Sequence, residues 1–164
     1  LSGALDVCAH EIDHGFTDTM KILDRGRISI AAMSLGLGCG ALDMAITYAK
    51  DRKQFGKPIA DFQAIQWMLA DMKTELDAAS LLTYRAAWLA DQGRPFSKEA
   101  SMAKLFASEA SSRACNKSLQ IHGGYGYTRE FHVERHLRDA KICEIGEGTS
   151  EVQRIVIAKN LLQG

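Results

Sequence analysis

Proline and strand-like alternation are scarce in this sequence. There are only two prolines, and because proline breaks helices, their scarcity permits long ones. β-Branched residues do not alternate with polar ones over the length of a strand, so no half-buried sheet is predicted. A run of about 18 apolar residues and a cationic leader segment are both missing, which argues against a membrane span or an export signal.

Net charge and paired cysteines are absent as well. Twenty basic residues balance twenty acidic ones, so no overall field attracts nucleic acid or an anionic membrane, and we expect neither partner. Cys8, Cys39, Cys115 and Cys143 are far apart and form no CxxC pair. This spacing predicts reduced thiols in an intracellular compartment rather than a disulfide or zinc framework.

The size and composition of the chain fit one globular domain. Its 164 residues are 46% apolar, which is enough to build a hydrophobic core. The chain starts at Leu1 rather than at a methionine. We expect it to be an excised fragment of a longer protein.

Helical periodicity dominates the sequence. The clearest helix has apolar residues at alternating spacings of three and four, the pattern of one buried stripe. We expect it to begin at an Asp61 N-cap and to stop at Gly93. The stripe is formed by Phe62, Ile65, Leu69, Met72, Leu76, Ala79, Thr83, Ala86 and Ala90. Further helices are predicted at about residues 15–51, 97–122, 131–142 and 150–162. Together they predict an all-α, up-and-down helical bundle.

Three motifs suggest other chemistry and are interpreted as coincidental. Residues 10–14 (HEIDH) fit the zinc pattern HExxH, but Asp13 puts a charge where such a helix is buried. Residues 36–41 (GLGCGA) fit a dinucleotide fingerprint without a following strand, so small residues on a tightly packed helix explain them better. His132 and His136 lie among charged residues, which favours a solvated or ion-paired face. We predict no metal site.

The segment from Glu144 to Gln153 is the most informative part of the chain. It sets Glu147 between two glycines just ahead of a helix start. Ser150 and Gln153 have the spacing of a capping box, which predicts a helix from about Ser150. Glycines let the backbone approach a flat ligand, and the N–H groups of a helix start attract phosphate. The alternative is a solvated glutamate that only favours the helix dipole.

Four motifs in order give the chain a resemblance to acyl-CoA dehydrogenases. They are residues 52–58 (RKQFGKP), 120–127 (QIHGGYGY), 138–141 (RDAK) and 147–150 (EGTS). The resemblance runs from Gly15 to Leu162 and matches the C-terminal helical domain of that family, here residues 15–164. It implies that residues 1–14 are a frayed link from a middle β-domain that this sequence does not include.

The resemblance implies a mechanism for the complete enzyme. A glutamate removes the α-proton of an acyl-CoA thioester, and the β-hydrogen leaves as hydride to FAD, giving a trans-2-enoyl-CoA. Glu147 matches the family's base. A glutamate in water is too weak a base for this proton, so desolvation under the acyl chain and flavin is expected to raise its basicity. The Glu147 N–H and a ribityl hydroxyl of FAD are the expected donors to the thioester oxygen.

Substrate contacts are implied on the first helix and beside the base. Some family members carry the base on that helix instead, but the corresponding residue here is Gly26, which cannot act as one. Asp24, Arg25, Gly26, Arg27 and Gly148 match substrate-binding positions. For Asp24 and Arg27 the alternative is a pair of exposed charges of little energetic value.

The resemblance also implies the residues that bind FAD. Arg52 would contact the pyrophosphate, where a guanidinium fork fits two phosphate oxygens. The other expected FAD contacts are Phe55, Gln63, Gln120, Ile121, His122, Gly123, Gly124, Thr149, Ser150 and Glu151. Since Arg52-type and Gln120-type contacts reach the FAD of a neighbouring subunit in this family, a homotetramer built as a dimer of dimers is implied.

Two functions follow as hypotheses. The first is the catalytic-base domain of an acyl-CoA dehydrogenase for short or branched chains, which passes electrons to an electron-transfer flavoprotein. Its expected location is the bacterial cytoplasm or the mitochondrial matrix. The second is a helical module that only self-associates. We expect the chain by itself to be inactive, because the flavin would lose much of its pocket.

Overall fold

The computed structural model describes residues 15–163, which form helices and one small hairpin. The elements are α1 Gly15–Asp51, β1 Lys53–Gln54, β2 Lys57–Pro58, α2 Gln63–Asp91, α3 Ser97–His122, α4 Val133–Ile145 and α5 Ser150–Leu162. Short 3-10 turns at Ile59–Asp61 and Gly123–Tyr127 precede α2 and follow α3. The all-α bundle predicted from the sequence is confirmed. The predicted linker and the HExxH motif lie outside the described residues.

The helix ends agree with the prediction where glycine or proline marks them. α2 ends at Asp91, ahead of Gly93, whose φ is 62°. The prediction that Asp61 caps α2 is wrong: Asp61 belongs to the 3-10 turn, and the N-cap is Phe62, whose side chain makes no capping bond. The hairpin between α1 and α2 was not predicted. Its two strands are too short for a periodicity to be read.

The third helix forms the centre of the bundle. α3 contacts each of the other four helices, and its buried positions are mostly alanine and serine. Small side chains allow helix axes to approach closely. The predicted stripe on α2 packs towards this centre, with Met72, Leu76 and Ala79 at most 2% exposed. The result is a closely packed platform that carries the loops at both ends of the bundle.

The glycine-rich motif of α1 is part of this packing. Residues 36–41 lie within the helix rather than in a nucleotide-binding loop. A Cβ on Gly38 would lie 2.5 Å from Leu76 Cδ2 and 3.3 Å from Ser111 Cα. These distances leave no room for a side chain at Gly38, so the interpretation of the motif as helix packing is confirmed at this glycine, while Gly36 meets no neighbouring atom within 4 Å.

The first helix is long and apolar. By length and composition alone, Asp18–Asp51 would suffice to cross a membrane. The central helix of a bundle meets the same criterion, and α1 packs along α2, α3 and α4. These contacts bury about a third of its most apolar stretch, while Ile22 and Met33 stay exposed.

Candidate active site

The loop between α4 and α5 carries Glu147 in a strained conformation. Its φ is 55°, in the left-handed region that non-glycine residues rarely adopt, and Gly148 follows with a φ of 91°. Such a conformation costs on the order of 1–3 kcal/mol and persists only where the surroundings enforce it. Strain of this kind often marks functional sites, and here it falls on the residue that the sequence predicted as the base.

The carboxylate of Glu147 lies directly over the first helix. A Cβ built on Gly26 would be 2.7 Å from Glu147 Oε2 and 2.9 Å from its Cδ. The absence of a side chain at Gly26 therefore makes the space that the carboxylate occupies. Gly26 and Glu147, the two positions that the resemblance implies for a base, are therefore in contact, and only Glu147 carries a carboxylate.

Glu147 is free to act on a ligand. Neither its N–H nor its carboxylate forms a hydrogen bond to any residue between 15 and 163. Its side chain is exposed in the described chain, so these residues alone do not provide the desolvation expected of the base. That burial stays a prediction for the complete protein with its ligands.

The start of α5 differs in detail from the predicted capping box. The helix begins at Ser150 as expected, but the N-cap is Thr149, whose side chain accepts a long bond from the Val152 N–H. The Ser150 hydroxyl is buried without a partner among the described residues. Gln153 reaches past the cap to the carbonyl oxygens of Glu147 (3.1 Å) and Gly148 (2.8 Å). The capping-box assignment is therefore wrong by one residue, and the glutamine instead stabilises the loop between α4 and α5 that carries Glu147.

Lys104 was missed by the sequence analysis. It lies on α3 with no exposed surface, and its Nζ donates to the carbonyl oxygens of Glu144 (3.1 Å) and Gly148 (2.8 Å). Burial lowers the pKa of Lys104 from its ordinary value. Its partners are 40 and 44 residues away in sequence, so no local pattern could have identified them.

The Asp24 and Arg27 pair is buried rather than exposed. Arg27 is 2% exposed, and its Nη1 donates to Asp24 Oδ1 at 2.6 Å and to Ser101 Oγ at 3.4 Å. The Ser97 hydroxyl also donates to Asp24 Oδ1 (2.9 Å). The alternative of two solvated charges is thus wrong. This pair ties α1 to α3 next to Gly26, and its contact with substrate stays a prediction.

A second candidate site lies at the opposite end of α1. A cleft of about 450 Å³ is lined by predicted FAD residues, among them Arg52, Ile121 and His122. Gly123 and Gly124 contribute backbone to the same wall, and Gly123 has a φ of 59°. The guanidinium of Arg52 lies 5.6 Å from the Tyr125 ring centroid. The cleft therefore combines a cation, aromatic rings and accessible backbone, as a dinucleotide requires.

Six of the eleven predicted FAD residues do not line this cleft. Thr149, Ser150 and Glu151 lie at the start of α5 instead. Phe55 is 93% exposed at the tip of the hairpin, where its φ of 53° and the φ of 81° at Gly56 form a tight turn of the type favoured in two-residue hairpins. Gln63 and Gln120 are also exposed. The side chains of Phe55, Gln63 and Gln120 are thus open to a ligand or to another chain, and their contact with FAD stays a prediction.

The two ends of the candidate site are far apart within one chain. At 1.5 Å per residue, the part of α1 from Gly26 to Asp51 is roughly 38 Å long. Glu147 lies over the first of these residues, while Arg52 follows the second. The Glu147 loop and the Arg52 cleft are therefore two separate regions of the chain.

The histidines form no metal site in the described part of the chain. No cluster of three or more ligating side chains occurs between residues 15 and 163. His136 Nδ1 bonds to the His132 carbonyl oxygen at 3.0 Å. The other candidate pair, His10 and His14, lies outside the described residues.

The burial of His122 in the wall of the cleft should make the stability of the fold depend on pH. It is 3% exposed and stacks on Tyr48 with centroids 4.3 Å apart, and burial lowers its pKa from the ordinary value. As pH falls through about 6.5, the unfolded state takes up a proton that the folded state does not. Stability is therefore lost on acidification, with a slope of at most about 1.4 kcal/mol per pH unit for this one group.

Urea unfolding of the chain between about pH 7.5 and pH 5.5 checks this expectation. His122→Phe keeps the ring stacking and should lose less stability over this range than the unsubstituted chain. His132→Gln, at an exposed histidine, is the matched control and should keep the full slope. Equal slopes for all three chains would contradict a neutral, buried His122.

The sequence as a whole matches the family model described as "Acyl-CoA dehydrogenase, C-terminal domain" over residues 13–162. The chain belongs to the acyl-CoA dehydrogenase family. The probable acyl-CoA dehydrogenase YngJ of Bacillus subtilis is 60% identical over 149 residues, which cover 91% of this chain and 39% of that protein. Subunit CarC of the caffeyl-CoA reductase–Etf complex of Acetobacterium woodii is 56% identical over 93% of this chain and 40% of its own length.

A solved acyl-CoA dehydrogenase shows the same domain. The structure of butyryl-CoA dehydrogenase from Megasphaera elsdenii matches with a TM-score of 0.92 and 48% identity, covering 93% of this chain and 40% of that one. The chain therefore spans about two fifths of the length of these relatives. The family resemblance inferred from the motifs is confirmed.

Proposed function

We propose that this chain is the catalytic-base domain of an FAD-dependent acyl-CoA dehydrogenase that converts an acyl-CoA thioester into the trans-2-enoyl-CoA. The observation that carries the proposal is the position of Glu147. Its carboxylate lies over Gly26, which has no side chain that could displace it. Glu147 also lies on a strained loop, and its carboxylate has no partner in the described residues. A carboxylate held in this way is available to take a proton from a ligand.

The chain's own residues perform the proton transfer. Glu147 removes the proton from the carbon next to the thioester, and its carboxylate becomes the neutral acid. Negative charge then develops on the thioester oxygen, which needs hydrogen-bond donors. The Glu147 N–H has no acceptor among the described residues and is the donor that this chain supplies. One residue thus provides both the base and a donor to the oxyanion.

The cation and the accessible backbone groups of this chain fit the parts of FAD that they would bind. When bound, FAD supplies the acceptor for the β-hydride. The cleft beside Arg52 offers a guanidinium and the glycine backbone of residues 123–124 for the phosphate and adenosine part. Thr149, Ser150 and Glu151 lie at the start of α5, next to the Glu147 loop, and are proposed to face the flavin end.

The separation of the two sites supports assembly into a homo-oligomer. About 38 Å of α1 separates Gly26 from Asp51, and we infer that the Arg52 cleft and Glu147 serve two different FAD molecules. A second copy of the chain would provide the missing half of each site. We therefore propose the homotetramer of paired dimers, in which the outward-facing Phe55, Gln63 and Gln120 contact the FAD of a neighbour.

Substrate and electron partner are proposed from the relatives. The butyryl-CoA dehydrogenase matches at 48% identity, which supports a short acyl chain as substrate. CarC carries the name of a subunit in a reductase–Etf complex, which supports an electron-transfer flavoprotein as partner. The same name supports a second candidate, reduction of a 2-enoyl-CoA, in which Glu147 would return the proton to the α-carbon.

The experiment compares the complete protein with this chain alone. The complete protein, purified and tested with a series of straight and branched acyl-CoA substrates, should hold one FAD per subunit and oxidise short-chain members fastest. The chain alone should hold no stoichiometric FAD and turn over no substrate. A complete protein that binds FAD but neither oxidises acyl-CoA nor reduces enoyl-CoA would overturn the proposal in favour of a self-association module.

A further inference from the structure

The loop between α4 and α5, which carries Glu147, is bound by the buried ammonium of Lys104 on α3. Lys104 has no exposed surface and forms no ion pair with a described carboxylate. Burial of an ammonium group is costly unless its hydrogen bonds are satisfied. Both bonds of the Lys104 ammonium go to main-chain carbonyl oxygens of one loop, at Glu144 and Gly148. Two of the three N–H donors of the ammonium are therefore satisfied by the segment that carries Glu147.

The first of these carbonyls lies at the end of α4. Glu144 is the penultimate residue of that helix, and the last four carbonyls of a helix lack partners within it. A cation at this position also interacts favourably with the helix dipole. The second carbonyl, that of Gly148, lies on the far side of Glu147. The ammonium therefore fixes the distance between the two ends of the loop.

Gln153 adds a second constraint from α5. Its amide donates to the carbonyl oxygens of Glu147 (3.1 Å) and Gly148 (2.8 Å), and its side chain has no exposed surface. The Gly148 carbonyl accepts from both Lys104 and Gln153, which occupies both of its lone pairs. The two peptide groups that follow the Glu147 Cα, those of the Glu147 and Gly148 carbonyls, are thus both held. Their fixed orientation favours the left-handed conformation at Glu147.

Initiation of α5 does not need these contacts. Thr149 already caps that helix through its own side chain. Lys104 also lies on α3 among buried alanines and serines, where an apolar side chain would pack at lower cost. What the ammonium adds is a fixed loop geometry.

We propose that Lys104 is a positioning residue for the reaction, acting with Gln153 to aim the Glu147 carboxylate and N–H at the same reacting centre. The inference rests on the proposed function of Glu147. A shift of about 1 Å in a catalytic group can lower the rate on the order of 100-fold. Loss of the Lys104 bonds should therefore reduce the rate of the chemical step and leave substrate binding nearly unchanged.

The test uses the complete, FAD-loaded protein with Lys104→Met, which fills the space and removes the donors. We expect kcat to fall about 10- to 100-fold, while KM and FAD content change less than about threefold. Lys104→Arg keeps N–H donors and should recover at least part of kcat. Lys117→Met on the same helix removes an ammonium that pairs with Asp71 and should leave kcat unchanged. A purely structural role would lower FAD content and thermal stability together with kcat.

Gln153→Met keeps the inference testable if the Lys104→Met protein does not fold, because it removes the other donor to the same carbonyl and should also lower kcat selectively. Wild-type kcat in either folded variant, or a rise in KM alone, would overturn the inference.

Glu147→Gln distinguishes a failure of the positioning role from a failure of the proposed function. If Glu147→Gln is inactive and Lys104→Met is fully active, only the positioning role fails. An active Glu147→Gln protein overturns the function on which that role rests.

Discussion

Glu147→Gln in the complete protein should lower kcat about 100- to 10,000-fold, the range that a positioned general base contributes. The substitution keeps the size and shape of the side chain and removes its ability to take a proton. FAD content and fold should be preserved, because the loop is held through main-chain carbonyls by Lys104 and Gln153. The carboxylate itself makes no hydrogen bond to the described residues. Turnover and the flavin spectrum of the same preparation measure both quantities.

The matched control for this substitution is Glu130→Gln. Glu130 is an exposed glutamate between α3 and α4, and its loss of charge should leave kcat unchanged. If Glu147→Gln retained FAD and oxidised acyl-CoA at the normal rate, another group would have to be the base. Loss of FAD in Glu147→Gln alone would instead point to a cofactor contact.

Gly26→Ala should separate activity from stability. The new Cβ would lie 2.7 Å from Glu147 Oε2, so the carboxylate must move. Because it is the end of a flexible side chain, this movement costs the fold little. Alanine also favours a helix interior over glycine by up to about 1 kcal/mol. We expect kcat to fall about 10-fold or more, while the free energy of unfolding stays the same or rises.

Gly36→Ala is the control on the same helix. A Cβ at Gly36 meets nothing within 4 Å, so the substitution should stabilise the helix by up to about 1 kcal/mol and leave kcat unchanged. Chemical denaturation and steady-state kinetics on the three proteins provide the comparison. Equal kcat in Gly26→Ala and wild type would show that the carboxylate does not work from the position over Gly26.

Sequence reasoning was reliable where a local signal determines the structure. Glycine at 93 and the Gly123-Gly124 pair mark helix ends, because these residues adopt conformations that terminate a helix. The stripe on α2 was read correctly because burial imposes a helical period. The cap of α5 was misplaced by one residue, since Thr149 and Ser150 are both able to cap and only the path of the preceding loop decides between them.

The rest of the site depends on contacts between distant segments. Glu147 was identified from its own motif, but its position over Gly26 joins residues from α1 and the loop before α5. The buried Lys104 lies 44 residues from Gly148 along the chain. In the sequence it is one lysine in an alanine-rich helix, for which an exposed ammonium is the ordinary expectation. The bonds of its ammonium to the loop carbonyls become visible only when α3 is packed against the loop.

The most direct test of the central claim follows the α-proton itself. The complete protein is incubated in D₂O with an acyl-CoA analogue that can lose its α-proton but cannot be oxidised, and deuterium at the α-carbon is measured by NMR. The account predicts rapid exchange with the wild-type protein and exchange at the background rate with Glu147→Gln. Wild-type exchange in an FAD-loaded Glu147→Gln protein would contradict the assignment of Glu147 as the base.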